Sequence, residues 1–293
     1  MDDCPQQTPL FTFGVIADIQ YADIDDGYNF ARTRRRYYRS SLKLLRNARE
    51  SWSDSAVKPE FILQLGDIID GFNKGQDSSD RALHTVLREF SSGPAELHHV
   101  WGNHEFYNFS RSALLRSRLN SSSRPGGSSS SSSRGLGAQA PGSDIYAYSF
   151  RPYPGFTFVV LDAYDVSLLG RQESSEQYSQ AMDLIKQNNT NEDLNCPPVS
   201  EGLQQRFTMF NGGFSKEQLD WLDSVLSSAD DKQERVTLAT FPCTPAPPNP
   251  CPWPGTTSSC WLLSNPTAAW CASWPDTTTK GATTGTQTRE CTT

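Results

Sequence analysis

The sequence predicts an α/β domain of layered (α+β) type over residues 1–239, followed by an aberrant tail over residues 240–293. Two observations support this fold class. Short apolar runs alternate along the chain with segments of helical period, which is typical of strands and helices that form separate layers. Several of these runs also end abruptly in polar residues, as buried strands do where they leave a sheet.

The first half of the domain contains three predicted strands and two predicted helices. Phe11 to Ala17, Phe61 to Leu65 and Leu97 to Trp101 are apolar runs of strand length. Between them, Asn29 to Ser51 and Ser79 to Phe90 carry apolar residues at helical spacing. The order of these elements predicts a sheet covered by helices.

The second half begins after a Ser-rich segment over residues 110–142, which has too little apolar content to offset its ordering entropy. We expect this segment to be a disordered loop inside the domain. Strands are predicted at 144–150, 156–161 and 235–239. A helix is predicted after Ser215, which has Gln218 three residues later, the spacing of a capping box.

The overall charge and the apolar runs restrict the class of partner. The formal net charge of −7 argues against a protein that binds a nucleic-acid backbone, because such proteins usually present a basic surface. No run approaches the roughly eighteen apolar residues of a membrane span, and the first residues lack the pattern of a secretory signal. We therefore expect a cytoplasmic, monomeric protein that acts on small molecules.

Candidate metal ligands follow three of the predicted strands. Asp18 and Gln20 follow the first strand, Asp67 follows the second, and Asn103 and His104 follow the third. Such residues converge at the carboxyl edge of an α/β sheet, and oxygen donors with an imidazole suit Mn²⁺ or Mg²⁺. Each motif alone also fits a turn or a helix cap. Their occurrence in order favours a site for two metals roughly 3.5–4 Å apart, bridged by the Asp67 carboxylate.

These motifs also resemble those of a known family. DIQ, GDIID and GNHE, in this order, resemble the calcineurin-like metallophosphoesterase superfamily, with Gln20 in place of a more common histidine. Together with YADIDDGYNFARTRRRYYR (21–39), VVLDAYDVSLLG (159–170) and FNGGFSKEQLDWL (210–222), they resemble the manganese-dependent ADP-ribose/CDP-alcohol diphosphatases. The resemblance covers most of residues 10–239.

The resemblance implies a fold of two facing β-sheets flanked by helices. It implies hydrolysis of the pyrophosphate bond of ADP-ribose, CDP-choline or CDP-glycerol by a water that two divalent metals activate, Mn²⁺ in the first place and Mg²⁺ as the alternative. Asp18 and Gln20 would hold one metal, Asp67 would bridge, and Asn103 would hold the second. His104 would aid the attack or protonate the leaving phosphate.

The sequence also allows two other functions and two interpretations of one basic segment. A different calcineurin-like phosphoesterase is one alternative, and a non-catalytic nucleotide-binding remnant is another. Arg34 to Arg36 form a basic run that could contact a phosphate. A solvated helix face is the favoured interpretation, because basic runs on helices usually face water.

The tail departs from the family pattern. No histidine follows His104, although the resemblance implies a later histidine and a GHxH motif. Read one base out of register, the codons of Leu238 to Pro245 permit Ser-His-Leu-Pro-Val-His-Pro, and those of Trp274 to Thr286 permit a segment with Gly-His-Asp-His. The sequence therefore predicts that residues beyond about Leu238 are a frame-shifted, disordered version of the family's C-terminal segment. The chain would then lack at least three metal-binding imidazoles and be impaired as an enzyme.

Overall fold

A computed structural model of the chain describes residues 9–28, 32–91, 93, 95–123, 136–142, 144–198 and 205–241, with the backbone of residues 260–264 and 270–273. The strands are β1 (Gly14–Ile16), β2 (Gly27–Tyr28), β3 (Arg35–Arg36), β4 (Phe61–Leu65), β5 (Glu96–Val100), β6 (Leu136–Gln139), β7 (Tyr148–Tyr153), β8 (Phe156–Val160), β9 (Val166–Ser167), β10 (Gly212–Gly213), β11 (Arg235–Ala239), β12 (Cys260–Ser264) and β13 (Trp270–Ser273). The helices are α1 (Ser40–Asp54), α2 (Phe72–Gly75), α3 (Ser79–Ser91), α4 (Asn103–Asn108), α5 (Arg111–Leu115), α6 (Glu176–Asn188) and α7 (Lys216–Asp231).

Two main sheets carry the fold. One sheet is parallel, with the strand order β1-β4-β5. The other is mixed, with the order β13-β12-β11-β8-β7-β6, in which β11 and β8 run parallel and the other described pairs run antiparallel. The pairs β9-β10 and β2-β3 form two short ribbons.

Aromatic side chains pack the two main sheets face to face. The ring of Phe61 on β4 lies 5.0 Å from that of Phe158 on β8 and 5.2 Å from that of Phe150 on β7, measured between centroids. The ring of Phe13, next to β1, lies 5.3 Å from that of Phe158. These edge-to-face contacts bury large apolar surfaces, which is a main source of stability in such a core.

Helices cover the outer faces of both sheets. Trp52 of α1 is fully buried, and its ring packs so closely on β1 that a Cβ at Gly14 would lie 3.0 Å from it. On the mixed sheet, Trp221 and Val225 of α7 join a buried cluster with residues of β8 and β11. The predicted fold class, two facing sheets flanked by helices, is confirmed. Among the described helices, none has the length and apolar character needed to cross a membrane.

The segment from Asn29 to Ser51 differs from the single helix that its spacing predicted. The helix begins only at Ser40, and β2 and β3 form an antiparallel ribbon before it. The apolar residues at helical spacing start at Tyr38, so the preceding segment has no apolar face that a helix would bury. The predicted helical placement of Arg34 to Arg36 is therefore wrong.

The segment over residues 110–142 is ordered at both ends, where the sequence predicted disorder. Ser110 caps α5 by accepting the N–H of Ala113, and Leu114 and Leu119 are buried in the main core. At the other end, β6 pairs with β7. The Ser-rich centre, residues 124–135, lies outside the described residues.

The C-terminal segment contains two strands that the sequence did not predict. The backbone of β12 pairs antiparallel with β11, and β13 pairs with β12. Most of the segment over residues 240–293, on which the prediction of a frame-shifted and disordered tail rests, lies outside the described residues.

Candidate metal centre

The three sequence motifs leave neighbouring strands at one edge of the parallel sheet. β4 lies between β1 and β5, so Asp67 leaves the sheet between the other two motifs. The pairing continues beyond the strands, because the backbone N–H of Gln20 donates to the carbonyl of Asp67 at 2.9 Å. The loops are thus held against each other by backbone hydrogen bonds.

Three of the predicted ligands share one hydrogen-bonded cluster. The amide Nε2 of Gln20 lies 3.3 Å from Asp18 Oδ1 and 3.3 Å from Asp67 Oδ2. The Oε1 of Gln20 is buried and has no hydrogen-bond partner among the described residues. The orientation of an amide is interchangeable, so a half-turn would direct this oxygen between the two carboxylates. The position that Nε2 now fills is where a cation would bind.

The backbone of this cluster is held in a conformation that L-residues rarely adopt. The φ angles are +52° at Asp18, +43° at Gln20 and +56° at Asp67. A left-handed backbone costs about 1–3 kcal/mol at each non-glycine residue and persists only where the surrounding structure imposes it. All three of these strained residues are predicted metal ligands. The other described non-glycine residues with positive φ are not predicted ligands: Arg32, Asp77 and Gln233.

Desolvation and the nearby Asp67 carboxylate both raise the pKa of the Asp18 carboxyl. Although Asp18 is exposed to solvent, the protein around its carboxyl desolvates it enough to raise its pKa well above the usual range. The negative charge of Asp67 raises the pKa further, and Arg36 opposes the shift. A divalent cation would remove the repulsion between the two carboxylates.

The remaining predicted site residues lie on the first turn of α4. The backbone N–H of His104 donates to Asp67 Oδ1 at 3.0 Å. Burial raises the pKa of Tyr107 to about 12, and the neighbouring side chain of Asn103 opposes this shift. The Nδ1 of His104 accepts the N–H of Gly71 at 2.9 Å. In the neutral imidazole the proton therefore lies on Nε2, which makes His104 a hydrogen-bond donor at that atom.

Glu105, which was not among the predicted site residues, holds the second and third motifs together. Its buried carboxylate accepts the backbone N–H groups of Asp67 at 2.8 Å, Ile68 at 2.7 Å and Gly102 at 2.6 Å. Burial, followed by the charge of Asp67, raises the pKa of Glu105 to about 8, although its three N–H donors favour the carboxylate. In the sequence, only the place of Glu105 as the last residue of the GNHE motif pointed to its role in joining the two loops.

Asp70, the last residue of GDIID, lies between two basic side chains. Its Oδ2 is 3.8 Å from His104 Nδ1 and 3.8 Å from the Nη1 of Arg36. Its Oδ1 accepts the N–H of Phe72 at 2.9 Å, which fixes the carboxylate. The structure thus places Arg36 beside the predicted metal centre.

The donor set fits a hard divalent cation. Carboxylate and amide oxygens of Asp18, Gln20, Asp67 and Asn103 are ligands that Mn²⁺ and Mg²⁺ accept. Within the described part of the chain, no three His, Cys, Asp or Glu side chains gather into a ligand set. The site therefore depends on the two amides, and its described ligands are few for a two-metal centre.

Phe241 occupies the space beside the metal loops. It follows β11, is buried, and its ring lies 5.9 Å from that of Tyr164. A Cβ on Gly66 would lie 2.7 Å from this ring, and a Cβ on Gly102 would lie 2.6 Å from it. Both loops can approach Phe241 only because they carry glycine there. The ring of Phe241 therefore lies where β11 ends, beside the Gly66 and Gly102 loops of the candidate metal centre.

A buried polar network supports the site from behind. Arg111 donates to Asp162 Oδ2 and to the carbonyl of Tyr164, both at 2.5 Å, and its guanidinium lies over the ring of Phe106 on α4. Gln218 binds the backbone of Asp162 through both of its amide atoms. Only half of the predicted capping box forms, because Gln218 turns to this network after its N–H is capped by Ser215. In the sequence, this network was indicated only by the segments 159–170 and 210–222, which resemble the family and contain Asp162 and Gln218.

Fold and site together define the class of protein. The calcineurin-like phosphoesterase family matches residues 11–271, and the chain belongs to it. Within that class the chain belongs with the manganese-dependent ADP-ribose/CDP-alcohol diphosphatases. The protein of that name from Danio rerio is 54% identical over 246 residues, which are 82% of this chain and 74% of the relative. The one from Homo sapiens is 45% identical over 255 residues, 82% of this chain and 70% of the relative.

A solved structure agrees with this placement. A dimetal phosphatase from Danio rerio superposes with a TM-score of 0.72 at 54% identity, covering 80% of this chain and 70% of that chain. The family resemblance that DIQ, GDIID and GNHE predicted is confirmed.

Proposed function

We propose that this fold carries a metal-dependent diphosphatase site for nucleotide diphosphates such as ADP-ribose, CDP-choline and CDP-glycerol. The observation that supports it most directly is the Asp18–Gln20–Asp67 cluster, in which two carboxylates converge on one amide whose oxygen lacks a partner. The names of the relatives supply the substrate class and the preference for Mn²⁺ over Mg²⁺.

In this proposal Asp18 and Gln20 hold one metal, Asp67 bridges, and Asn103 holds the second. Bound metals lower the pKa of a water molecule and neutralise charge on the phosphate. His104 contributes as a donor, because the Gly71 N–H directed at its Nδ1 leaves the proton on Nε2. That proton is suited to a phosphate oxygen of the leaving group, which favours the leaving-group role over a role as base.

We further propose that the chain as written is impaired. The strand end at Thr240 and Phe241 presents a hydroxyl and a buried ring, and the resemblance implies a histidine ligand after this strand. The same observation favours the second candidate function, a non-catalytic protein that retains the nucleotide site. A frame shift near Leu238 remains the proposed origin, and the nucleotide sequence of codons 236–242 would test it.

One titration separates the two functions. The chain is titrated with Mn²⁺ with and without ADP-ribose, and turnover of ADP-ribose, CDP-choline and a phosphomonoester is measured. Asp67→Asn is the matched variant, since it keeps the size of the side chain and removes the bridging charge. Turnover of the diphosphates that Asp67→Asn abolishes supports the enzyme. Binding without turnover supports the remnant, and turnover of the phosphomonoester alone would point to a different phosphoesterase.

The proposal also covers the setting of the protein. We propose a cytoplasmic monomer that acts on small molecules and not on nucleic acid, an expectation supported by the net charge of −7. Light scattering during gel filtration would test the monomer. A particle of twice the chain mass would contradict it.

A further inference from the structure

Gln64 places a polar side chain inside the parallel sheet, close to the candidate metal centre. It is fully buried in β4, the central strand, two residues before Gly66. A buried amide destabilises a fold unless its polar atoms find partners. The partners of Gln64 therefore show what this amide holds in place.

The peptide unit between Gly66 and Asp67 is held on both of its sides. Its carbonyl, that of Gly66, accepts Nε2 of Gln64 at 2.8 Å and the backbone N–H of Asp18 at 3.2 Å. Its N–H, that of Asp67, donates to Glu105 at 2.8 Å. The φ angles are +87° at Gly66 and +56° at Asp67, so the chain is left-handed on both sides of this planar unit. A rotation of the unit would change φ at Asp67 and redirect its carboxylate.

The ring of His99 fixes which way the Gln64 amide points. A carbonyl can only accept, so the NH₂ group of Gln64 faces Gly66, and Oε1 is left for a donor. This Oε1 lies 3.1 Å from Nδ1 of His99, its partner in the β4–β5 register, so that nitrogen carries the proton. The backbone of His99 is itself held, because its N–H donates to Ser121 Oγ at 2.9 Å and its carbonyl accepts the hydroxyl of Tyr146 at 2.8 Å. A chain of hydrogen bonds thus runs from β5 through β4 to the loop that follows β4.

We propose that Gln64 and His99 are positioning residues of the metal centre. The imidazole orients the amide, and the amide holds the peptide unit that directs the Asp67 carboxylate. This role rests on the proposed function, because it presupposes that Asp67 binds metal. Neither Gln64 nor His99 is a proposed ligand, so both act through the backbone. If they served stability alone, replacing them would destabilise the fold without changing its affinity for Mn²⁺.

The test measures Mn²⁺ affinity and stability side by side in the full chain. Electron paramagnetic resonance gives the affinity for Mn²⁺, and urea titration without metal gives the free energy of unfolding. Gln64→Leu removes both hydrogen bonds of the amide, and His99→Leu removes the donor behind it. His99→Asn is the conservative variant, because its amide nitrogen can take the place of Nδ1. Thr157→Val is the control, since it removes a buried hydrogen bond to Glu234 near the start of β8.

Gln64→Leu is expected to weaken Mn²⁺ binding by about 10- to 100-fold, the usual effect of losing a group that orients a metal ligand. His99→Leu should weaken it by about tenfold, because the amide loses the donor that orients it. His99→Asn should keep the affinity within about threefold while lowering the free energy of unfolding, since the smaller side chain leaves a cavity. Thr157→Val should also lower the free energy of unfolding and keep the affinity within about threefold. Adding His99→Leu to Gln64→Leu should weaken Mn²⁺ binding no further, because the two residues act in series.

The possible failures can be told apart. If Gln64→Leu loses stability and binds Mn²⁺ like Thr157→Val, the pair is structural and the proposal is overturned. Equal losses of affinity in His99→Leu and His99→Asn would contradict the role of His99 in orienting the amide. The two His99 variants also decide the question if Gln64→Leu does not fold. An unchanged chain that binds no Mn²⁺ contradicts the proposed function itself, and the role of the pair falls with it.

Discussion

Gly102→Ala tests whether the packing of the loops sets the position of the Asp67 carboxylate. A Cβ at residue 102 would lie 2.3 Å from Asp67 Oδ1 and 2.6 Å from the ring of Phe241. The backbone of Gly102 is extended, with φ −101° and ψ −176°, so alanine adds no conformational strain. The whole effect of the substitution comes from these two collisions.

The structure limits how the collisions can be relieved. The backbone N–H groups of Gly102 and Asp67 bind the same oxygen of Glu105, which keeps the two loops from separating. The Asp67 side chain must therefore rotate and lose its contact with the N–H of His104. Overpacking of this kind costs about 1–3 kcal/mol. Because we propose that Asp67 binds both metals, its displacement should also weaken Mn²⁺ binding by at least about tenfold.

The free energy of unfolding is measured by urea titration and Mn²⁺ affinity by electron paramagnetic resonance. Gly75→Ala is the matched control, because nothing lies within 4 Å of the Cβ that it would add. The double variant Gly102→Ala/Phe241→Leu separates the two collisions. It should recover part of the stability and none of the Mn²⁺ affinity, since the contact with Asp67 remains.

One result would refute this reasoning. If Gly102→Ala were as stable as Gly75→Ala and bound Mn²⁺ like the unchanged chain, the Asp67 carboxylate would not be held where the structure has it.

The remaining predictions concern the neighbours of the site. The pKa of Glu105 is raised to about 8 from an ordinary value near 4.5, so the native state holds a proton that the unfolded chain has lost between these values. The free energy of unfolding of the metal-free protein should therefore fall as pH rises from about 4.5 to 8. Glu105→Gln should weaken this dependence, the rest of which belongs to the raised pKa of Asp18, and it should cost about 1–3 kcal/mol for at least one unpaired N–H. A flat pH profile in urea titrations of the unchanged chain would contradict it. Arg111→Met should lower the free energy of unfolding by about 3–5 kcal/mol, because the Asp162 carboxylate stays buried without its partner. The double variant Arg111→Met/Asp162→Asn should recover part of that loss. Urea unfolding measures both. Phe241→His should lower the stability of the metal-free chain. It should also increase the rise in melting temperature that Mn²⁺ produces, because it places an imidazole beside Gly66 and Gly102. An unchanged rise in melting temperature with Mn²⁺ would show that this strand end does not face the metals.

Local sequence was sufficient for the elements that a short segment decides. The strand at Phe61–Leu65 was predicted with the bounds that the structure has, because it is a continuous apolar run that ends in a glycine. The helix after Ser215 was predicted from its cap. The ribbon of β2 and β3 was missed, since two-residue strands carry too few residues for a period to show.

The sequence by itself determined the fold class and the family, and it predicted which residues at three strand ends would bind metal. Those features depend on residue type and on spacing within a few positions, which the linear chain contains. Only the tertiary structure decided that Glu105 binds three backbone N–H groups of two loops, that Arg36 and not Arg35 faces the site, and that Phe241 fills the space beside Gly66 and Gly102. Each of these contacts joins segments that are distant along the chain, and the direction of a side chain in such a contact depends on how the sheets and loops pack.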